Sequence, residues 1–124
     1  MKKFLSPALA VAILAAAPVS ASAGQTDWIG ISEWKSLESK LRASGEVPVS
    51  VQCRDRGGPL NNESGQAKIS TQKKDVEWHW AFGSQFQNAN YKWVSQGFTQ
   101  AAGCEYARPK SGVKIKFGVW HKNK

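Results

Sequence analysis

The chain is poor in the residues that build metal centres and disulfide-rich scaffolds. Its 124 residues include two cysteines, two histidines and one methionine, and 9 acidic residues against 17 lysines and arginines. Two cysteines are too few for a disulfide-dense scaffold or a closed four-ligand zinc site. HxxxH, HExxH and CxxC spacings, a phosphate-binding glycine loop, an Asp-rich calcium loop and a GxSxG elbow are all missing. We therefore expect neither a metal nor a cofactor.

Long apolar runs are also scarce, with one exception at the start of the chain. Lysines at positions 2 and 3 precede an apolar stretch over residues 4–17. The small residues at 21–23 then fit the pattern that a signal peptidase cleaves. The stretch is shorter than the roughly 20 residues that span a bilayer. Residues 1–23 are therefore predicted to be a bacterial secretory signal peptide, and residues 24–124 a single domain without a transmembrane segment.

The two cysteines are expected to form a disulfide. Export places the domain in the periplasm or outside the cell, where a cysteine pair in a small protein is usually a crosslink. Cys53 and Cys104 would close a loop of about fifty residues. Cleavage of the leader also removes two lysines, so the net charge falls from +8 to +6.

Helical spacing is clearest near the start of the predicted domain. Trp34, Leu37 and Leu41 recur on one helical face, Ser32 is a suitable N-cap, and Gly45 is a suitable C-terminal residue. A second, shorter helix is expected within residues 91–102, although Gly97 weakens that pattern.

Alternation of apolar and polar residues predicts the strands, and it is strongest over residues 76–82. Further strands are expected at 47–53, at 67–71, around 104–106 and at 113–119. A loop is expected at 54–65, which is rich in glycine, proline and asparagine. Together these patterns predict an α+β domain with a mainly antiparallel sheet of about four or five strands and one or two helices.

The two halves of the domain share an order of residues. Each half contains a tryptophan, a glycine, a cysteine and a Trp-His pair, namely Trp34, Gly45, Cys53 and Trp78-His79, then Trp93, Gly97, Cys104 and Trp120-His121. This recurrence is either an internal duplication or chance in a chain that has six tryptophans.

Several lysines share one face of the last predicted strand with a tryptophan. This basic stripe comprises Lys110, Lys114, Lys116, Trp120 and Lys122. Such a face suits phosphate or sulfate groups, with the ring stacking on a base or a sugar. Arg54, Arg56, Lys68, Lys73 and Lys74 would add to the positive field. The alternative is a solvated face that keeps the domain soluble and prevents aggregation of sheet edges.

The six tryptophans are expected to divide between core and surface. Four of them, at positions 34, 78, 80 and 93, lie in apolar patterns and are predicted to be buried, as a small domain requires. Trp28 and Trp120 are predicted to be at least partly exposed.

The two histidines suggest a catalytic alternative, metal-free cleavage of RNA. His79 and His121 would serve as general base and general acid, and Lys114 or Lys116 would stabilise the phosphorane charge. Glu77 would be a substitute base. This chemistry requires the side chains to converge within hydrogen-bond reach.

The favoured function is non-enzymatic binding of an anionic partner by a secreted or periplasmic module. An anionic cell-envelope glycan or another polyanion is the leading partner. One alternative is the ribonuclease-like enzyme, and another is an inhibitor or immunity-type protein that binds a second protein. A basic target such as a lysozyme is disfavoured because like charges slow the encounter.

Overall fold

The computed structural model describes residues 23–56, 65–109 and 111–124. Residues 1–22 of the predicted signal peptide and residues 57–64 of the predicted loop lie outside these residues. The described elements, in chain order, are β1 (Ala23–Gln25), β2 (Ile29–Gly30), α1 (Ile31–Ser44), β3 (Glu46–Asp55), β4 (Gly65–Lys73), β5 (Val76–Phe82), a short 3-10 turn (Gly83–Gln85), α2 (Phe86–Ser95), β6 (Thr99–Ala107) and β7 (Lys114–Asn123).

Four strands form an antiparallel sheet, sheet A, with β4 in the middle. Strand β3 pairs along one edge of β4, and β1 and β2 pair one after the other along its opposite edge. Thr26 bridges the interval between β1 and β2. Its backbone N–H donates to the Ile69 carbonyl at 2.9 Å, and its hydroxyl accepts from the Ile69 N–H at 3.0 Å.

The other three strands form sheet B, which is also antiparallel, with β7 between β5 and β6. Side chains alternate along β7. Phe117 and Val119 face the core shared with sheet A, whereas Trp120 faces the second helix. Sheet B therefore has two packed faces.

Helix α1 begins at Ile31, and its N-cap is Gly30 rather than the predicted Ser32. The Glu33 carboxylate accepts a hydrogen bond from the Gly30 N–H at 2.9 Å, which satisfies one free donor at the helix start. The predicted end is confirmed, because Gly45 caps the helix with a left-handed φ of 75°.

The main core lies between the inner faces of the two sheets and α1. Its centre is Trp34, whose ring packs edge-on against Trp78, Trp80 and Phe117, with ring centroids 6.3, 5.4 and 5.4 Å away. Such contacts between aromatic rings stabilise a core beyond the area they bury. Sheet A completes the core with Val47, Val51, Ala67 and Ile69.

A second, smaller core lies between sheet B and α2. Phe86 and Trp93 of the helix pack over the sheet. A side chain at Gly118 would collide with the rings of Phe86 and Trp120, so this glycine allows the helix to approach β7 closely. The buried residues of this core are Ala81, Phe98 and Trp120.

The predicted fold class is confirmed: the described residues form one small α+β domain with antiparallel strands, two helices and one disulfide. The strands divide into two sheets. The second helix lies earlier than expected, since α2 ends at Ser95 and β6 begins at Thr99. Its apolar face is formed by Phe86, Ala89 and Trp93, and Gly97, with a φ of 93°, follows its end.

The residue order that recurs in the sequence corresponds to a recurring arrangement of elements. In each half a helix is followed by a left-handed glycine, Gly45 or Gly97, and then by a cysteine-bearing strand. The Trp-His pairs on β5 and β7 lie opposite each other in register. Strand β4 has no counterpart between β6 and β7, and the internal duplication stays a prediction.

Cys53 on β3 and Cys104 on β6 form the predicted disulfide, with Cα atoms 5.7 Å apart. The bond joins sheet A to sheet B at a position where the two strands share no backbone ladder.

Loss of this bond is expected to lower the free energy of unfolding by about 4 kcal/mol. The reason is that a crosslink across 51 residues restricts the unfolded chain. Urea unfolding of the oxidised protein and of the Cys53→Ser/Cys104→Ser double variant measures the difference. A difference under about 1 kcal/mol would contradict a structural role for the bond.

Candidate functional site

The two histidines lie on opposite faces of sheet B. His79 pairs across the strands with Trp120, which precedes His121 on β7, and successive residues of a strand point to opposite faces. On the α2 side, the His79 ring stacks on Trp93 with centroids 3.5 Å apart. On the sheet A side, Nε2 of His121 lies 2.8 Å from the carbonyl oxygen of Pro48.

The convergence that ribonuclease chemistry requires is therefore absent. The sheet itself separates His79 from His121, so they cannot act on one phosphodiester. Glu77 lies on the His79 face, opposite Lys122 on β7. Lys114 lies near the other end of β7, where its Nζ is 3.5 Å from Oε2 of Glu105. The four residues proposed for catalysis do not form one site.

Packing lowers the pKa of both histidines below the ordinary value of 6.5. For His79 the main cause is burial, and the positive charges of Arg42 and Lys92 act in the same direction, while Glu77 opposes them. Burial also lowers the pKa of His121, and the hydrogen bond with Pro48 opposes that shift.

Helix α2 covers the middle of the predicted basic stripe. Trp120 is 0% exposed, and its Nε1 donates a hydrogen bond to Oδ1 of Asn90 on α2 at 2.9 Å. The prediction that Trp120 is at least partly exposed is therefore wrong. The indole instead packs against α2 as a large apolar side chain of sheet B, and its N–H is satisfied by the Asn90 side chain.

The lysines of the basic stripe do not form a continuous surface. Lys116 and Lys122 lie on either side of Trp120, about 20 Å apart along the strand. Lys114 beside Lys116 is close to Glu105, and Nζ of Lys122 donates to the carbonyl of Gln96 at 2.9 Å. Lys110 lies outside the described residues. The stripe is divided because the helix occupies the face that carries it.

The outer face of sheet A is a polar surface that neither described helix covers. Helix α1 packs on the inner side of the sheet through Trp34 and Leu41, and α2 packs on sheet B. The outward positions of β3 and β4 are exposed or half-buried. Together with Trp28 they are called the open face, which comprises Trp28, Ser50, Gln52, Arg54, Gln66, Lys68, Ser70 and Gln72.

Trp28 is half-buried on the open face, which confirms the partial exposure predicted for it. Its ring lies against two cations. Cζ of Arg54 is 4.1 Å from the centroid of its ring, and Nζ of Lys68 is 5.3 Å away. Nε of Arg54 also donates to Oε1 of Gln66 at 3.0 Å, which orients the guanidinium group. The Trp28 N–H donates to Oδ1 of Asp27 at 3.0 Å.

The charge of the open face has one sign. Arg54 and Lys68 are its charged residues, and one exposed carboxylate, that of Asp27, borders it at the Trp28 N–H. The two cations lie over the indole ring, so an aromatic group and positive charge meet at one point. Chemically, this arrangement can hold a ring that carries a negative group.

The sequence predicts that Arg54 and Lys68 add to the positive field, but it does not indicate that they lie near Trp28. The missing information is the pairing of β2 with β4, which joins residues almost forty positions apart. The available signal was the polar half of the alternation in β3 and β4, where serine, glutamine and basic residues recur at every second position.

The described parts of the chain contain neither a cluster of metal ligands nor a membrane-spanning helix. Within residues 23–56, 65–109 and 111–124, no three histidine, cysteine or acidic residues group closely enough to hold a metal ion. Across the same ranges, neither helix has the length and apolar character needed to span a bilayer. No protein family, curated protein or solved structure matches the chain.

The depressed histidine pKa values predict a loss of stability in acid. Because both folded-state values lie below the ordinary 6.5, the unfolded chain takes up protons first. The stability from His79 and His121 is thus fully present above pH 6.5 and is lost as the pH falls through the folded-state values. Urea unfolding at about pH 7.5 and about pH 5 measures the change.

Two substitutions identify the source of this pH dependence. His79→Phe keeps an aromatic ring beside Trp93 but cannot titrate, and His121→Gln keeps a donor for the Pro48 carbonyl. Each variant should show a smaller loss of stability between the two pH values than the parent protein. An unchanged loss in both would contradict the assignment to these histidines.

Proposed function

We propose that the protein is a non-enzymatic binding module for an anionic polymer and that the open face is its binding surface. The observation that carries the proposal is the Trp28 ring with Arg54 and Lys68 on a polar sheet face that neither described helix covers. Stacking on an aromatic ring combined with cationic contacts is how proteins hold flexible anionic chains.

The chemistry of the open face favours binding over catalysis. Its eight residues include no histidine, cysteine, aspartate or glutamate, so this surface carries no general acid–base pair. The two histidines lie elsewhere and are half-buried, with His79 stacked on Trp93 and His121 in contact with the Pro48 carbonyl.

The predicted export and the net charge indicate where the partner is found. A disulfide-bonded protein secreted with a net charge of +6 would meet the anionic polymers of the cell envelope and its surroundings. Its overall field would attract them, and Lys114 and Lys116 beside α2 would contribute to that attraction. The local site on the open face would then fix the bound chain.

Removing the indole is expected to weaken binding by about fivefold or more, because stacking on one aromatic ring contributes roughly 1–3 kcal/mol. The oxidised protein and its Trp28→Ala variant would be titrated with a polyuronate, heparin and single-stranded RNA. Tyr91→Ala is the matched control, because it removes a ring that is 80% exposed on α2, away from the open face. The control should bind as the parent does.

A second pair of variants distinguishes the contribution of the open face to binding from the contribution of the net charge. Lys68→Gln and Lys35→Gln each remove one positive charge, the first on the open face and the second on the exposed side of α1. Lys68→Gln should weaken binding several-fold more than Lys35→Gln. Equal losses would assign the attraction to net charge and contradict the proposed surface. Formation of a one-to-one protein complex without polymer binding would overturn the proposal in favour of an inhibitor-type protein.

A further inference from the structure

The open face has more uncharged hydrogen-bonding groups than charges. Two cations stand among three glutamines and two serines, the residues Gln52, Gln66 and Gln72 with Ser50 and Ser70. Amide and hydroxyl groups both donate and accept hydrogen bonds. Sugar hydroxyls do the same, whereas phosphate and sulfate oxygens accept. A surface of this composition is matched to a ligand with many hydroxyl groups and few charges.

The cations lie toward one end of this surface, each opposite a glutamine. Arg54 pairs across the strands with Gln66, next comes Gln52 with Lys68, and then Ser50 with Ser70. The cations and the indole are therefore at one end, and the amides and hydroxyls continue along β4 to Gln72. The outward positions of β4 extend over about 20 Å, which accommodates several sugar rings in a row.

A nucleic acid would require a different surface. Each nucleotide carries a phosphate, and proteins that bind single strands track those phosphates with a basic groove and stack successive bases on several rings. The open face offers one ring, and both of its cations lie within 5.3 Å of that ring. It therefore meets one negative group and leaves the rest of the strand facing uncharged side chains.

We infer that the ligand is a glycan with widely spaced carboxylates, an inference that rests on the proposed function. One sugar ring packs against the Trp28 indole where the Arg54 guanidinium does not cover it, and its carboxylate is bound by Arg54 and Lys68. The planar guanidinium matches the two oxygens of a carboxylate. The neighbouring sugars, which are neutral, hydrogen-bond through their hydroxyls to Gln52 and Ser70.

The test compares three soluble polymers of similar length with the oxidised protein. Hyaluronan carries one carboxylate in every two sugars, carboxyl-reduced hyaluronan carries none, and poly(U) RNA carries one charge per nucleotide. Hyaluronan should bind most tightly. The reduced form should bind about tenfold more weakly but still measurably, because it keeps the hydroxyl contacts. The salt dependence of the hyaluronan affinity should correspond to the release of no more than about two ions, since two cations contact the polymer.

The Gln52→Ala/Ser70→Ala variant isolates the hydroxyl contacts. It should weaken hyaluronan binding about fivefold or more while leaving poly(U) binding unchanged. Gln87→Ala/Ser95→Ala, which removes two exposed polar side chains from α2, is the matched control and should have no effect.

The outcomes distinguish this inference from the proposed function. In one outcome, poly(U) binds more tightly than hyaluronan and Gln52→Ala/Ser70→Ala changes neither affinity, which contradicts the glycan inference. If Trp28→Ala abolishes binding in that case, the open face is still supported as the binding surface. If no polymer responds to Trp28→Ala, both fail. Loss of hyaluronan binding in Trp28→Ala and in Gln52→Ala/Ser70→Ala, but not in Gln87→Ala/Ser95→Ala, supports both.

Discussion

Strand β7 is packed on both of its faces, and this constraint decides which surface of the protein is left for a partner. Phe117 and Val119 enter the core beneath sheet A, while Trp120 enters the core beneath α2. Because successive side chains alternate, the same pleat sends His79 and His121 to opposite sides of sheet B. Helix α2 packs over the Trp120 face of β7, which is also the face that carries the lysines. Catalysis by a histidine pair and binding along one basic stripe are both incompatible with this packing.

Sheet A differs because the described residues pack against one of its sides. Its inner face is held by Trp34 and by the Cys53–Cys104 bond to sheet B, and its outer face is polar. An antiparallel sheet commonly exposes one face in this way. The feature that goes beyond ordinary solvation is Trp28, a large ring that lies across this face against Arg54 and Lys68. Its position joins an apolar contact to local positive charge, as ligand recognition requires.

Local patterns predicted much of the fold. Alternation predicted residues 76–82 as a strand, as observed in β5, and Gly45 was recognised as the end of α1 from its conformational freedom alone. The candidate site was less predictable. Alternation indicates that Lys116, Trp120 and Lys122 share a face but does not indicate whether a helix covers it. Equally, nothing local reveals that β2 pairs with β4, which is the contact that brings Trp28 onto the open face.

We propose that a ligand binds the outer face of sheet A and not the lysines beside α2. Nuclear magnetic resonance of the nitrogen-15-labelled oxidised protein, titrated with hyaluronan oligosaccharides, tests it directly, because each tryptophan side chain gives its own indole signal. The account predicts that the Trp28 indole and the backbone amides of β3 and β4 shift with a common affinity, while the buried Trp120 indole stays in place. Shifts confined to Lys114, Lys116 and the residues of α2 would contradict it.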